Sequence, residues 1–317
     1  MRHTARPALV ALLLAAAAPA AAITQGPGPS AGPASPLLPI SARGAAAGGA
    51  TWVGKPPVGG ARRIVTLAPS MTDYLVALGA ADRIVGVTRV DHAPEVASLP
   101  RVGGFLDPSP EAVLGLKPDL VLWVTDGGAL AAVRRLAELS AGSFAVLAIP
   151  VITVADVPAA AKLVGEAIGE PAAGEALAAR LQGALDRLRA GSAGRPRPRV
   201  LFVVGREPLV VAGPGSFPDE LLKLAGAENA VGGSRPWPVY PLELAVGANP
   251  DLVIDAAFDE PAAGISRLAA IPAVRRGAVA RLPRDDLLRA GPRMIEALGD
   301  LEQALRGAPP NSPPQAR

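Results

Sequence analysis

Two stretches, EAVLGLKPDLVL at Glu111–Leu122 and ELAVGANPDLVI at Glu243–Ile254, carry one pattern at one spacing. In each, a Glu is followed by Gly, then Pro-Asp, then Leu-Val and a branched apolar residue. Each predicts a short helix, a Pro-Asp turn and a buried strand. Proline lacks an N–H and disfavours helical geometry in the residue before it, so the helix stops there. The unbroken apolar run after it suits a strand covered on both faces, as in parallel sheets.

Working outward, a second echo lies upstream of each copy. SMTDYLVALGAADRIVG at Ser70–Gly86 is matched by SFPDELLKLAGAENAVG at Ser216–Gly232. Ser70 with Asp73, and Ser216 with Asp219, fit an N-cap followed three positions on by a carboxylate, a capping box with Asp in the usual Glu place. Two blocks repeated in one order predict two similar α/β units, hence two lobes with a cleft between them.

Composition narrows the function. The chain has 317 residues, half of them hydrophobic and 19% charged, which is enough to bury a sizeable core or two smaller ones. Its net charge of +3 falls to +1 without Arg2 and Arg6, so there is no nucleic-acid footprint. Cysteine is absent, which removes disulfides, Cys-based zinc sites and thiol nucleophiles. Of the two histidines, His3 lies in the leader, leaving His92 alone for any His-dependent chemistry.

Residues 1–22 read as a cleavable export signal: Arg2, His3 and Arg6, an apolar run from Ala8, and Ala20-Ala21-Ala22 at its end. With no Cys at the cleavage point, the mature protein is expected in the periplasm and not as a lipoprotein. Residues 23–61 are rich in Pro, Gly, Ala and Ser and read as a flexible tether, with Trp52 packing on the first lobe. The N-terminal lobe is expected over 62–154, opening with a strand near Arg63, and a helical connector over 155–193. The C-terminal lobe follows over 194–306, then a disordered tail over 307–317. Strands alternating with helices predict parallel sheets with helices on both faces. A long helix between lobes acts as a strut, so closure on binding is expected to be small.

The catalytic inventory is poor: no G-x-G-x-x-G, P-loop lysine or H-E-x-x-H motif occurs. Asp91 with His92 could form half of an acid–base pair, or simply a solvated loop. Gly213–Ser216 could approach an anion, or simply feed the helix behind it. In open parallel sheets ligands sit beyond the carboxyl ends of the strands. The segments expected there are Ala68–Ser70, Asp91-His92, Gly104–Leu106, Trp123–Gly128, Arg206-Glu207, Pro236–Pro238 and Asp285–Arg289. Although aromatics make up only 3% of the chain, Phe105, Trp123 and Trp237 all fall in these places. Such a set suits a large, flat, partly apolar ligand, though Trp123 could equally finish a core strand. Glu111 and Glu243 follow prolines into the first turn of a helix, where the dipole favours a carboxylate. One exposed carboxylate per lobe also suits docking on a two-fold partner with matching cations.

These residues carry a family resemblance. From about Arg63 to Leu305 the chain resembles the helical-strut periplasmic binding proteins of ABC importers for iron-siderophores, haem and cobalamin. RIVTLAPSMTDYLVALGAADRIVGV, VGGFLDP, PLVVAGPGSFPDELLKLAGAENAVGG and PWP look most like the cobalamin-binding branch. The resemblance implies two Rossmann-like α/β lobes joined by a long α-helix, with the ligand between them. By position it implies that Phe105 and Trp237 line a corrin pocket, that Asp285 and Arg289 make polar contacts, and that Glu111 and Glu243 dock on arginines of the permease dimer. Phe105 stands where a larger Trp can occur, and it cannot ligate iron as a Tyr could, while His92 and Tyr240 leave haem open.

The expected function is therefore capture of a corrinoid and its delivery to an ABC permease dimer with its ATPase subunits. The expected protein is a monomer, with no catalytic residues, no bound metal and no cofactor beyond the cobalamin it carries. The expected ligand contacts are Phe105, Trp237, Asp285, Arg289, Trp123, Ser70, Asp91 and His92. Ferric siderophore or haem in the same role is the alternative. An exported α/β hydrolase or lyase using Asp91, His92 or Asp285, and a sensor or scaffold subunit without a permease, are the remote ones.

Overall fold

The computed structural model describes residues 49–308 except 106, 126–129, 140–141 and 259. The expected leader, the tether up to residue 48 and the tail from 309 lie outside the described residues. The first half contains β1 (Thr51–Val53), β2 (Ile64–Thr66), α1 (Pro69–Ala77), β3 (Ile84–Gly86), α2 (Pro110–Gly115), β4 (Leu120–Val124), α3 (Leu130–Leu139) and β5 (Ala145–Ile149). Its sheet has the order β1-β5-β4-β2-β3, parallel except for β1. Every residue of β5 is buried, and so are the first four of β4, as a sheet covered on both faces requires.

Then come two consecutive helices, α4 (Asp156–Ala167) and α5 (Pro171–Gly191). The second half contains β6 (Arg199–Arg206), β7 (Leu209–Val211), α6 (Phe217–Leu224), β8 (Glu228–Asn229), α7 (Leu242–Gly247), β9 (Leu252–Asp255), α8 (Pro272–Arg275), β10 (Val279–Arg281) and α9 (Met294–Arg306). Its sheet runs β10-β9-β6-β7, with β8 also on β6. Strand β7 is antiparallel to β6 while β8, β9 and β10 are parallel, so both sheets are mixed and not purely parallel as expected.

The repeated blocks are repeated structures. In the first, Asp119 accepts hydrogen bonds from the backbone N of Arg62 and Arg63 at 2.8 and 3.1 Å, fixing the entry of β2. In the second, Asp251 accepts from the backbone N of Arg199 at 2.8 Å, fixing the entry of β6. Register agrees as well: Ile64 stands opposite Leu120, and Val200 opposite Leu252. Before each Pro-Asp the chain turns through a left-handed residue, Lys117 (φ 48°) or Asn249 (φ 43°), which ends the helix.

The upstream echo diverges. Ser216 caps α6, its Oγ accepting from Asp219 N at 3.3 Å, while Asp219 Oδ2 accepts from Gly215 N at 2.9 Å. Replacing Ser216 with Ala should therefore cost about 1 kcal/mol, measurable by urea denaturation. The expected Ser70–Asp73 box does not form. Pro69 starts α1 one residue earlier with Ala68 as N-cap, so Ser70 already lies inside the helix.

One correction concerns the stretch expected as tether. Thr51–Val53, all strand-favouring residues, pairs with the free edge of β5, so ordered structure begins before Arg63. Trp52 packs half-buried against the core, as anticipated. Between α4 and α5 the backbones touch. A Cβ added to Gly165 would sit 2.6 Å from Gly174 Cα, so neither position tolerates a side chain without the helices separating.

Candidate functional site

The large hydrophobic cluster extends from the first lobe through α4 and α5 into the second, and both expected pocket aromatics lean on it. Phe105, in the loop between β3 and α2, is half-buried against it, and so is Trp237, in the loop between β8 and α7. The Trp237 loop is held in place by its backbone. Gly213 N donates to Pro236 O at 2.8 Å, Val211 N donates to Pro238 O at 3.3 Å, and Val239 bridges Val210. The ring is thus presented by a fixed loop with a partly open face.

Trp123 does not belong with them. Only 1% of it is exposed, and it packs in β4 with Val65, Leu67, Val113 and Phe144. A ring that far inside has no surface to offer a ligand. Asp91 is likewise a structural residue. It is buried, and its Oδ2 accepts from Thr88 N at 3.0 Å and from Thr88 Oγ1 at 2.5 Å, closing a turn. His92 next to it is exposed. Among the described residues no hydrogen bond joins the two, so the acid–base pair is not assembled. Residues 126–128 of the expected Trp123–Gly128 segment, and Leu106, lie outside the described residues.

Arg206 ends β6 where a ligand cation was conceivable, but it faces inward. Its Nη2 and Nε grip Asp255 at 2.6 and 3.2 Å, and its Nη1 donates to Pro261 O at 2.9 Å. Both partners of this pair are almost wholly buried. The guanidinium cross-braces β6 and β9 and is closed to solvent.

The polar groups that do gather lie where the C-terminal segment crosses to the first lobe. Arg289 Nη2 is 3.1 Å from Asp285 Oδ1 and 3.9 Å from Asp73 Oδ2. Arg293 lies 3.8 Å from Asp73 Oδ1 and 3.3 Å from Asp286 Oδ1. Gly291 is pressed on Ser70, where an added Cβ would come within 3.3 Å of the Ser70 Cβ. Ser70, Asp285 and Arg289, three expected contacts, are thereby brought together. Sequence reading missed Asp73 and Arg293 as members. No local signal marked them: Arg289 lies in the loop before α9 and Arg293 at its N-cap, outside any helical repeat.

Burial, the largest influence, pushes the Asp73 carboxyl up from 3.8 to about 6, against the pull of Arg289 and Arg293. Burial also raises Asp286, against Arg293 and Arg284. No group of three or more His, Asp or Glu among the described residues is arranged to hold a metal ion. Glu111 and Glu243 are exposed in the first turns of α2 and α7. Glu111 accepts from Ser109 Oγ at 3.2 Å. A separate open groove of about 490 Å³ lies between α5 and α6, lined by Gln182, Leu185, Arg189, Glu220 and Lys223. It contains none of the expected ligand contacts.

Residues 64–285 match the family model described as periplasmic binding protein. A vitamin B12-binding protein of Pectobacterium carotovorum is 26% identical over 79% of this chain and 91% of its own length. An uncharacterised ABC transporter substrate-binding lipoprotein of Bacillus subtilis is 28% identical over 77% of this chain and 80% of its own. Among solved structures, the apo periplasmic haem-binding protein RhuT of Roseiflexus sp. RS-1 superposes with a TM-score of 0.66 at 30% identity, covering 77% of this chain and 98% of that one.

Proposed function

The chain belongs to the periplasmic binding protein family, and from that premise we propose that it captures a corrinoid between its lobes and hands it to an ABC permease. It is a binding protein and not an enzyme, which sets aside the hydrolase and lyase readings. Cobalamin in this role is cargo and not a cofactor. What supports the corrinoid reading is that each lobe offers one half-buried aromatic, Phe105 and Trp237, in a chain related to vitamin B12-binding proteins. A flat macrocycle offers such rings a large apolar face, and Asp285 with Arg289 would meet its polar side chains at the rim. Glu111 and Glu243, one per lobe, would meet cations of a permease dimer. Export to the periplasm, and a monomeric state before docking, complete the proposal.

Haem is the second reading, favoured by the likeness to a haem-binding protein. The side chains weigh against it. Tyr74 is fully buried and its hydroxyl donates to Val157 O at 2.9 Å, while Tyr240 packs on the core of the second lobe. Iron would be left to exposed His92 or a displaced Tyr240.

Titration with cyanocobalamin, followed by tryptophan fluorescence, tests the proposal. Saturable binding at micromolar ligand is expected, and Trp237→Ala should weaken it at least tenfold, about 1.4 kcal/mol. No saturable binding would reject the corrinoid, and haemin and a ferric siderophore would then be titrated in turn.

A further inference from the structure

Asp73 and Asp219 hold equivalent places in the two repeated blocks, each three residues beyond the Ser. Asp219 is served within its own lobe, accepting from Lys223 Nζ at 2.7 Å, Asn229 Nδ2 at 2.9 Å and Gly215 N at 2.9 Å. Burial works to raise its pKa, but these donors outweigh it and hold the carboxyl below its ordinary value. Asp73 is only 5% exposed, yet no hydrogen-bond donor reaches it among the described residues. Its cations come from the other lobe, Arg289 at 3.9 Å and Arg293 at 3.8 Å, too far for hydrogen bonds. Each arginine also has a closer acidic partner on its own side, Asp285 at 3.1 Å or Asp286 at 3.3 Å. Gly291 packed on Ser70 seals the start of α1 beneath this contact.

We propose that Asp73 is a proton-operated contact between the lobes, whose ionisation favours opening of the cleft and whose protonation lets it shut. The proposal rests on reading the space between the lobes as the ligand cleft, and it adds a control to that site.

The charged groups facing Asp73 are Arg289, Arg293 and Asp285 from the C-terminal segment and Asp91 from the loop after β3. Behind it lie Tyr74 of the same helix and Asp156 at the start of α4, whose charges act on one another. Burial dominates and raises Asp73 to about 6, the two arginines oppose the rise, and Asp285 and Asp91 add to it. Parting the lobes admits water and returns the carboxyl toward 3.8. The closed form therefore binds the proton more tightly. Its advantage is fully present below 3.8 and is lost as pH rises through about 6. With those two values, going from pH 7.5 to pH 5 should shift the closed-to-open ratio about tenfold toward closed.

The chain has no cysteine, so Ser98→Cys and Ser234→Cys, both at exposed loop positions on opposite lobes, accept a unique pair of spin labels. Inter-label distances are measured on the ligand-free protein at both pH values. Acidification should enrich the shorter distance about tenfold relative to the longer. Asp73→Asn should show the acid-like distribution at both pH values. Arg293→Gln removes a cation that lowers Asp73 and should move the transition to higher pH. A labelled parent whose distances ignore pH, or an Asn variant that still responds, overturns the proposal. Since no ligand is added, failure of cyanocobalamin to bind would leave this result untouched. Equally, a flat pH response would leave the corrinoid assignment standing.

Discussion

Arg206→Ala should destabilise the protein by about 3–5 kcal/mol, the largest loss expected of any single substitution considered. The cost comes less from the attraction removed than from what remains. Asp255 would stay buried beside β6 with its strongest donors gone, and Glu260 would lose its contact with the guanidinium. Chemical denaturation followed by circular dichroism measures the loss. The double variant Arg206→Met, Asp255→Leu removes both charges and should recover most of it, because an apolar pair of similar volume is often no worse than a buried ion pair. A loss below about 1 kcal/mol for Arg206→Ala would mean that water reaches the pair and that β6 and β9 do not depend on it.

The second large effect falls on transport. Glu111→Ala combined with Glu243→Ala should leave folding and cyanocobalamin affinity within about twofold of the parent while cutting uptake by cells at least tenfold. Both carboxylates are exposed in the first turn of their helices, so each removal costs the fold only about 0.3–1 kcal/mol of favourable dipole interaction. Uptake of labelled cobalamin by cells whose own binding protein has been deleted reads the effect directly. Lost affinity in the purified double variant would put these carboxylates in the pocket and end the docking role.

How far sequence reached depended on whether a signal was local. The Glu-Gly-Pro-Asp blocks were legible because helix, turn and buried strand each leave a mark within a dozen residues. Their identical register, and the matching tasks of Asp119 and Asp251, follow from that repetition. Strand β1 was missed because three residues between Gly- and Pro-rich flanks carry little periodicity, and only the edge of β5 makes them a strand. Antiparallel β7 was missed for the same reason. At the site, the Trp237 loop was visible as Pro-Trp-Pro. Trp123 misled, since an aromatic at the end of an apolar run looks the same whether it closes a core or faces a ligand. Asp73 was read as a cap because its partner pattern was present in sequence. Pro69 shifted the helix start by one residue and left the carboxylate to arginines more than two hundred positions away. No local rule could have supplied that.

The touching backbones of Gly165 and Gly174 have a mechanical result. Two cylinders in contact with nothing between them have no side-chain bearing on which to slide or re-register, so the hairpin they form swings as a single beam. Compliance must then be found at seams that lack such a weld, and the Gly291 turn resting on Ser70 is one of them.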